Sequence, residues 1–225
     1  MAKSEAKPVT FSVPDKGDVS GLLILPKGAR ALYVLAHGAG AGMAHPFMGR
    51  SAALLAERGI GTLRYQFPYM EAGSRRPDSP KIAEATVRAA VGEARRLAPK
   101  LPLIAGGKSF GGRMTSGAEA RDPLGVKGLA FLGFPLHPPG APAITRGEHL
   151  SDVTIPMLFL QGTKDEFAGL DLLKPLVRKL GNGATLHLID EANHSFRIPA
   201  KTGRKDADVM AELADTIALW FDSLG

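Results

Sequence analysis

Residues 103–114 read LIAGGKSFGGRM, a short apolar run that is followed at once by a Gly-x-Ser-x-Gly motif. The motif consists of Gly107, Ser109 and Gly111, and the residues after it suit a helix. Glycines on both sides of the serine allow a sharp turn between a strand and a helix, which lifts the hydroxyl above the sheet edge. The helix start behind the serine leaves backbone N–H groups free to bind an oxyanion. The stretch therefore predicts a nucleophilic serine, Ser109.

Two other interpretations of this stretch compete. A motif this short can arise by chance in a chain with 27 glycines. Gly107-Lys108-Ser109 also matches the end of a phosphate-binding loop, whose pattern Gly-x-x-x-x-Gly-Lys-Ser/Thr needs a glycine at position 102. That position holds Pro102, so the phosphate loop is excluded. The chance match has to be judged from the rest of the chain.

Two later apolar runs end in residues that would complete a catalytic triad. Residues 155–160 (IPMLFL) lead to Asp165, and residues 185–189 (TLHLI) lead to His194. Triads on α/β sheets of this kind follow the chain order Ser, Asp or Glu, His. Ligands bind where the carboxyl ends of parallel strands meet. We therefore predict Ser109 as nucleophile, His194 as general base and Asp165 as the acid that orients the imidazole.

A glycine-rich loop follows an earlier apolar run. Residues 31–36 (ALYVLA) continue into HGAGAG at 37–42. A loop of small residues at this place supplies the second N–H group of an oxyanion hole, beside the amide that follows the nucleophile. We expect the backbone amides of Ala39 and Phe110 to form this hole. His37 is expected to anchor the loop and to stay out of the chemistry.

Five further residues are candidates for a substrate pocket because they lie beside these strand ends: Gly38, Gly40, Phe67, Lys108 and His137. Lys108 precedes the nucleophile and could attract an anionic substrate, although pairing with a nearby acid is a common role for such a lysine. Phe67 could shape an acyl pocket or only cap the core. His137 follows another strand end and could line the pocket.

Five segments between residues 37 and 196 carry a resemblance to a known family: HGAG (37–40), GGKSFGGR (106–113), GFPLHPPG (133–140), FLQGTKD (159–165) and NHSF (193–196). The chain resembles small bacterial α/β-hydrolases related to the testis-expressed hydrolase-like proteins and to a subunit of a nuclear acetyltransferase complex. The resemblance implies the α/β-hydrolase fold and the triad Ser109, Asp165 and His194. It implies little about substrate, since some of these relatives serve as scaffolds.

Strands and helices alternate along most of the chain, which predicts a mostly parallel sheet with helices on both faces. Residues 9–13 and 19–25 form the expected antiparallel N-terminal hairpin around a Pro-Asp-Lys-Gly-Asp turn. The prediction is one α/β-hydrolase domain over residues 1–225, with residues 1–8 as a flexible tail. The segment 133–154 holds four prolines in its first half and leaves room for about two helical turns, so no large lid is expected.

Composition excludes several classes of protein. Apolar residues make up 44% and charged residues 22%, and no run approaches the roughly 18 apolar residues of a membrane span. The chain has no cysteine, which excludes disulfides and thiolate chemistry, and its charged start lacks a signal-peptide core. A cytoplasmic location is expected. The net charge of +6 is scattered and only 6% of residues are aromatic, so no nucleic-acid partner is predicted. No metal-ligand spacing is present, and no cofactor is expected.

The sequence as a whole favours a serine hydrolase that acts on small-molecule carboxylic esters with small acyl groups through an acyl-enzyme. The alternative is a non-catalytic scaffold or interaction module that keeps the same fold. The intact order Ser, Asp, His favours the enzyme, and labelling with a fluorophosphonate probe separates the two. The oligomeric state cannot be read from the sequence.

Overall fold

The computed structural model describes residues 5–225. The described residues form eight strands: β1 (Lys7–Val13), β2 (Gly17–Ile24), β3 (Ala31–Ala36), β4 (Ile60–Tyr65), β5 (Leu103–Lys108), β6 (Leu129–Leu132), β7 (Met157–Gly162) and β8 (Ala184–Ile189). They also form six α-helices: α1 (Pro46–Glu57), α2 (Pro68–Glu71), α3 (Pro80–Leu97), α4 (Phe110–Arg121), α5 (Leu170–Leu180) and α6 (Asp206–Asp222).

All eight strands belong to one sheet, in the order β1-β2-β4-β3-β5-β6-β7-β8. β1 pairs with β2 and β2 with β4 in antiparallel fashion, whereas β4, β3, β5, β6, β7 and β8 are all parallel to one another. The strand order reverses at β3. The connection from β3 leads to β4 on one side of it, and the next connection leads from β4 to β5 on the other side. This mostly parallel sheet with an antiparallel N-terminal hairpin confirms the predicted fold class.

Helices cover both faces of the sheet because its central strands are apolar on both sides. Every residue of β3 and of β6 is buried. α3, α4 and α5 pack on one face, and α1 and α6 pack on the other. Along α6 the residues Val209, Leu213, Ile217 and Trp220 form an apolar stripe, and all four are buried against the sheet. Trp220 is therefore a core residue.

The N-terminal strand begins earlier than the sequence indicates. Lys7 and Pro8, expected in the flexible tail, pair with Leu23 and Leu22 of β2. Proline is tolerated there because β1 is an edge strand, where a residue that lacks an N–H donor does not break the pairing of a central strand. The rest of the expected tail that falls on residues 1–4 lies outside the described residues.

Only a short helix interrupts the segment between β6 and β7. It is the 3-10 helix Thr145–Asp152, which fits the expected limit of about two turns. Within the described chain this segment contains no α-helix, and the prediction that the fold has no large lid is confirmed.

Glycines let the three central strands approach closely at the point where β5 ends. Gly106 has φ +145°, and a Cβ atom there would lie 1.9 Å from the carbonyl oxygen of Ala130. Gly107 has φ +151°, and its Cβ would lie 2.3 Å from the carbonyl oxygen of Ala36. Neither position can hold a side chain without moving a neighbouring strand.

We expect Gly106→Ala to lower the free energy of unfolding by about 3 kcal/mol, since it adds a backbone clash to an unfavourable φ. The matched control is Gly92→Ala in the middle of α3, where a Cβ meets nothing within 4 Å. That change should stabilise the protein by about 0.5–1 kcal/mol because alanine favours helix. Urea unfolding of both variants measures the pair, and similar stabilities would contradict the close-approach argument.

Candidate active site

Ser109 occupies a strained turn between β5 and α4. Its backbone has φ +50° and ψ −116°, a conformation that costs a non-glycine residue on the order of 1–3 kcal/mol. Gly111 lets the start of α4 lie close to the end of β3, because a Cβ there would be 2.6 Å from the carbonyl oxygen of His37. The turn therefore presents the Ser109 hydroxyl at the carboxyl edge of the sheet, as the Gly-x-Ser-x-Gly motif predicts.

A hydrogen-bonded chain links the three residues that the sequence singles out. His194 Nε2 lies 2.9 Å from Ser109 Oγ, and His194 Nδ1 lies 2.7 Å from Asp165 Oδ2. With the carboxylate ionised, Nδ1–H donates to Asp165, which leaves Nε2 to accept the hydroxyl proton of Ser109. The structure thus brings Ser109, Asp165 and His194 together from the ends of β5, β7 and β8.

Asp165 is held by more donors than the imidazole alone. Its side chain is completely buried. The Gln161 amide donates to Oδ2 at 2.6 Å, and the Phe167 backbone N–H donates to Oδ1 at 2.9 Å. These bonds fix the carboxylate and compensate its burial. Sequence reasoning missed Gln161, although its place on β7, four residues before Asp165, puts it at the same strand end.

The environment of His194 keeps its imidazole neutral. Burial lowers the pKa of His194, and the hydrogen bond that it donates to Asp165 partly opposes that effect. The ring of Phe167 packs on the imidazole with centroids 4.2 Å apart. A neutral imidazole whose Nδ1–H is committed to a carboxylate can accept a proton only at Nε2, which is the nitrogen that faces Ser109.

Residues 37–43, here called the glycine loop, are anchored by His37 as expected. Nδ1 of His37 lies 2.8 Å from the Gly38 carbonyl oxygen, and Nε2 accepts the backbone N–H of Phe67 at 3.3 Å. Burial lowers the pKa of His37 to about 4, so the ring stays neutral and holds one tautomer. His37 is a support for the loop and does not face the nucleophile.

Within the described chain, some amides of the glycine loop are occupied and others are free. The Gly40 N–H donates to the Tyr69 hydroxyl at 3.0 Å, so this amide is occupied. Ala39 N–H has no hydrogen-bond partner in the described part of the chain. Phe110 is the first residue of α4, where an amide has no partner within the helix. Ala39 and Phe110 are the amides that the sequence predicts for an oxyanion hole, and that role stays a prediction.

A cavity of about 760 Å³ opens beside Ser109. Its walls come from the glycine loop and the start of α1 on one side, and from the loop after β8 and the start of α6 on the other. Most of the lining is apolar and includes Ala39, Phe47, Met48, Phe167, Phe196 and Met210. Of these, sequence reasoning assigned a role only to Ala39: Phe196 belongs to the NHSF segment without a role of its own, and the others lie outside the motifs.

Three of the five pocket candidates lie outside this cavity, and two line it. Gly38 and Lys108 line it, whereas Gly40, Phe67 and His137 do not. Phe67 is fully buried among Tyr65, Tyr69 and Phe110, behind the glycine loop, and its N–H supports that loop.

His137 is buried in the loop after β6, with Nδ1 2.8 Å from the Pro138 carbonyl oxygen. The end of a strand identifies the sheet edge but not the side toward which a cavity opens, and here the cavity opens toward α1 and α6. The segment 133–156 contributes no lining residue, although all of it is described.

Lys108 does not form the acid pair that was one of its two expected roles. Its Nζ atom is buried and has no hydrogen-bond partner in the described chain. Burial lowers the pKa of Lys108 to about 7, and the nearby Asp165 carboxylate opposes that effect.

The residues that the structure describes contain no cluster of three or more His, Cys, Asp or Glu side chains able to hold a metal ion. Among the same residues, no helix is both long enough and apolar enough to cross a bilayer.

The sheet order, the turn at Ser109 and the strand-end positions of Asp165 and His194 define the α/β-hydrolase class of fold. A profile described as alpha/beta hydrolase domain matches residues 29–222, which is most of the chain. The protein therefore belongs to the alpha/beta hydrolase domain family.

Solved structures of bacterial hydrolases share this fold over nearly the whole chain. A serine hydrolase without a lid from Xanthomonas campestris is 22% identical, with a TM-score of 0.75 over 98% of this chain and 97% of that one. Dienelactone hydrolase from Anabaena variabilis is 20% identical, with a TM-score of 0.78 over 99% of each chain. The esterase domain of a Rhodothermus marinus protein is 17% identical, with a TM-score of 0.74 over 98% of this chain and 100% of that one.

Proposed function

We propose that this protein is a serine hydrolase that cleaves small-molecule carboxylic esters with small acyl groups through a covalent acyl-enzyme. The observation that supports the proposal is the chain of hydrogen bonds from Ser109 through His194 to Asp165, at 2.9 and 2.7 Å. The fold it shares with a serine hydrolase, a dienelactone hydrolase and an esterase domain is consistent with this chemistry.

In the first half of the reaction, Ser109 Oγ attacks the ester carbonyl while its proton moves to His194 Nε2. The carbonyl oxygen becomes an oxyanion, which the amides of Ala39 and Phe110 stabilise. Asp165 stabilises the imidazolium and keeps its ring oriented. The bond to the alcohol then breaks as His194 gives its proton to the departing oxygen, which leaves an acyl group on Ser109.

In the second half, a water molecule takes the place of the alcohol. His194 Nε2 accepts a proton from the water as its oxygen bonds to the acyl carbon. The tetrahedral intermediate again places its oxyanion on the two amides. Its collapse breaks the bond to Ser109 Oγ, which recovers the proton from His194, and the carboxylic acid leaves.

The small acyl preference is supported by what surrounds the cavity. Its rim includes the exposed residues Arg50, Asn193 and Arg197, and the segment 133–156 does not cover it. A long acyl chain would lie partly in water and would lose the roughly 0.8 kcal/mol that burial of each methylene gives. We further infer the kinship with testis-expressed hydrolase-like proteins from the five motif segments. The cytoplasmic location, the single domain and the absence of a nucleic-acid partner stay predictions.

Ser109→Ala should abolish labelling by a fluorophosphonate probe and lower any esterase activity by about 10⁴ to 10⁶. The matched control is Ser116→Ala on α4. Ser116 Oγ also contacts a histidine, His149 Nε2 at 2.7 Å, but lies outside the cavity. We expect Ser116→Ala to be labelled like the wild type. Equal labelling of the wild type and Ser109→Ala would remove the assignment, and absence of labelling in a folded wild type would favour the scaffold alternative.

Asp165→Asn should lower kcat by about 10² to 10⁴, because the amide no longer holds the reactive tautomer of His194. Asp190→Asn serves as the control, since Asp190 precedes His194 closely but contacts the Thr163 hydroxyl at 3.3 Å. Glu191 pairs instead with Lys164 at 3.5 Å. Steady-state kinetics on folded variants decide between these acids, and a larger loss at Asp190 would transfer the role to it.

The acyl preference is measured with p-nitrophenyl esters. We expect kcat/KM for the acetate or butyrate ester to exceed that for the palmitate ester by about tenfold or more. Lipid droplets or micelles should not activate the enzyme. A clear preference for palmitate would contradict the small acyl site and would point to a tunnel along the cavity wall formed by Phe47, Phe196 and Met210.

A further inference from the structure

Lys108 has a position that the proposed reaction does not explain. It is the last residue of β5, directly before Ser109. Its Nζ atom is buried, has no hydrogen-bond partner in the described chain and lies 5.5 Å from the ring centroid of Phe196. A buried charge without a partner costs free energy. An uncharged side chain of the same length would fill the space at a lower cost in free energy. Packing alone therefore does not explain why this position holds an ammonium.

Gly133 shows where this ammonium lies relative to the candidate triad. A Cβ atom built on Gly133 would be 2.9 Å from Lys108 Nζ, 3.4 Å from His194 Nδ1 and 3.5 Å from Asp165 Oδ2. The three groups therefore surround the same point in space. Lys108 nevertheless makes no ion pair with Asp165, whose Oδ2 bonds to His194 and Gln161. The ammonium therefore lies near the Asp165–His194 hydrogen bond without bonding to either residue.

The charges around Lys108 act on one another across this short distance. Asp165 raises the pKa of Lys108 against the larger effect of burial, which lowers it to about 7. Lys108 in turn lowers the pKa of His194, in the same direction as burial, while Asp165 and Glu166 raise it.

The other charged side chains near the site are exposed to solvent. Arg50, Arg197 and Asp206 line the cavity with exposed side chains, so solvent and salt screen them. His37, under the glycine loop, is neutral. Among the cations, Lys108 is the one that acts on His194 through the protein interior.

We propose that Lys108 is a positioning residue whose buried ammonium, beside the Asp165–His194 hydrogen bond, keeps His194 neutral and ready to accept the proton of Ser109. The inference rests on the proposed function for its effect on catalysis. Its electrostatic part concerns the folded protein alone and can be measured without any substrate.

The sign of the effect follows from the charge. Below about pH 7 Lys108 is cationic, and in that range it opposes the addition of a proton to His194. Lys108→Met keeps a side chain of similar length and removes the charge. The pKa of His194 should then rise by about one pH unit, because the loss of a nearby cation removes its repulsion of the protonated imidazole.

The first test is an NMR titration of the His194 imidazole in the wild type and in Lys108→Met. The control is Lys164→Met, in which the lost cation lies on a neighbouring loop with a largely exposed side chain. We expect the pKa of His194 to rise in Lys108→Met and to stay unchanged in Lys164→Met. An unchanged or lower pKa in Lys108→Met would overturn the proposal.

The second test is the pH profile of kcat/KM on a p-nitrophenyl ester. In Lys108→Met the acid limb should move about one unit upward, so activity at pH 6 falls up to about tenfold relative to the wild type. Near pH 9 the two enzymes should be similar, since Lys108 of the wild type is then neutral. Lys108→Arg, which keeps the charge, should keep the acid limb of the wild type. An equal loss of activity at every pH would contradict the proposal.

Stability separates this role from a purely structural one. Because the pKa of Lys108 is lowered in the folded protein, the unfolded chain binds the Lys108 proton more tightly than the folded chain does. The free-energy cost of burying the ammonium is therefore full below about pH 7, and it fades as the pH rises toward the pKa of this lysine in the unfolded chain. Lys108→Met should therefore unfold at higher urea concentration than the wild type at pH 6, and the difference should shrink by pH 9. A structural lysine would give a less stable variant at both pH values, which would overturn the proposal.

The two proposals fail in different ways. If the pKa of His194 rises in Lys108→Met but Ser109 is neither labelled nor active, the proposed function fails and the role of Lys108 in setting the imidazole charge stands. If Ser109 is labelled and the ester is hydrolysed but the pKa of His194 does not respond, the proposal for Lys108 fails alone.

Discussion

The close approach of β5 to its neighbours is the constraint on which the rest of the structure depends. Gly106 and Gly107 pass so near the carbonyl oxygens of β6 and β3 that no side chain fits between the strands. The chain must then leave β5 through a tight turn, and Ser109 takes the unfavourable φ that this turn imposes. The strain is held by the packing of α4 on both neighbouring strands. The turn places the Ser109 side chain at the sheet edge, where its hydroxyl bonds to His194 Nε2 at 2.9 Å in the absence of substrate.

The second level of organisation is electrostatic. A fully buried carboxylate, Asp165, receives hydrogen bonds from Gln161, Phe167 N–H and His194, and these bonds make its charge tolerable in the interior. Its charge holds one imidazole tautomer, while burial and the ammonium of Lys108 act against a second proton on that ring. The opposing effects leave an imidazole that is oriented by a negative charge and still neutral. That is the state a general base needs.

The sequence predicted the parts of the site that lie at strand ends, because a motif on the chain and an edge of a sheet are tied by topology. Ser109, Asp165 and His194 are brought together for that reason.

The sequence did not predict which side of the sheet edge holds the cavity. Phe67 and His137 follow strand ends as well, yet they are buried on the side away from the cavity, since helix packing decides where space remains. Phe196 and Met210 line it because α1 and α6 leave a gap above His194. The bond from Gln161 and the buried site of Lys108 depend on side-chain packing between strands, which no spacing in the chain encodes.

The glycine loop shows how a flexible segment is made rigid without contact from a lid. His37 binds both the Gly38 carbonyl and the Phe67 amide, and the Tyr69 hydroxyl receives the Gly40 amide. Met43 is held at both of its backbone groups, by the Gln66 amide oxygen and the Arg64 guanidinium. All these supports come from β4 and the residues just after it. The strand that pairs with β3 therefore fixes the loop that follows β3, while the Ala39 amide has no hydrogen-bond partner in the described chain. The loop is thus held in place by the sheet itself, and the oxyanion hole proposed there needs no closing motion.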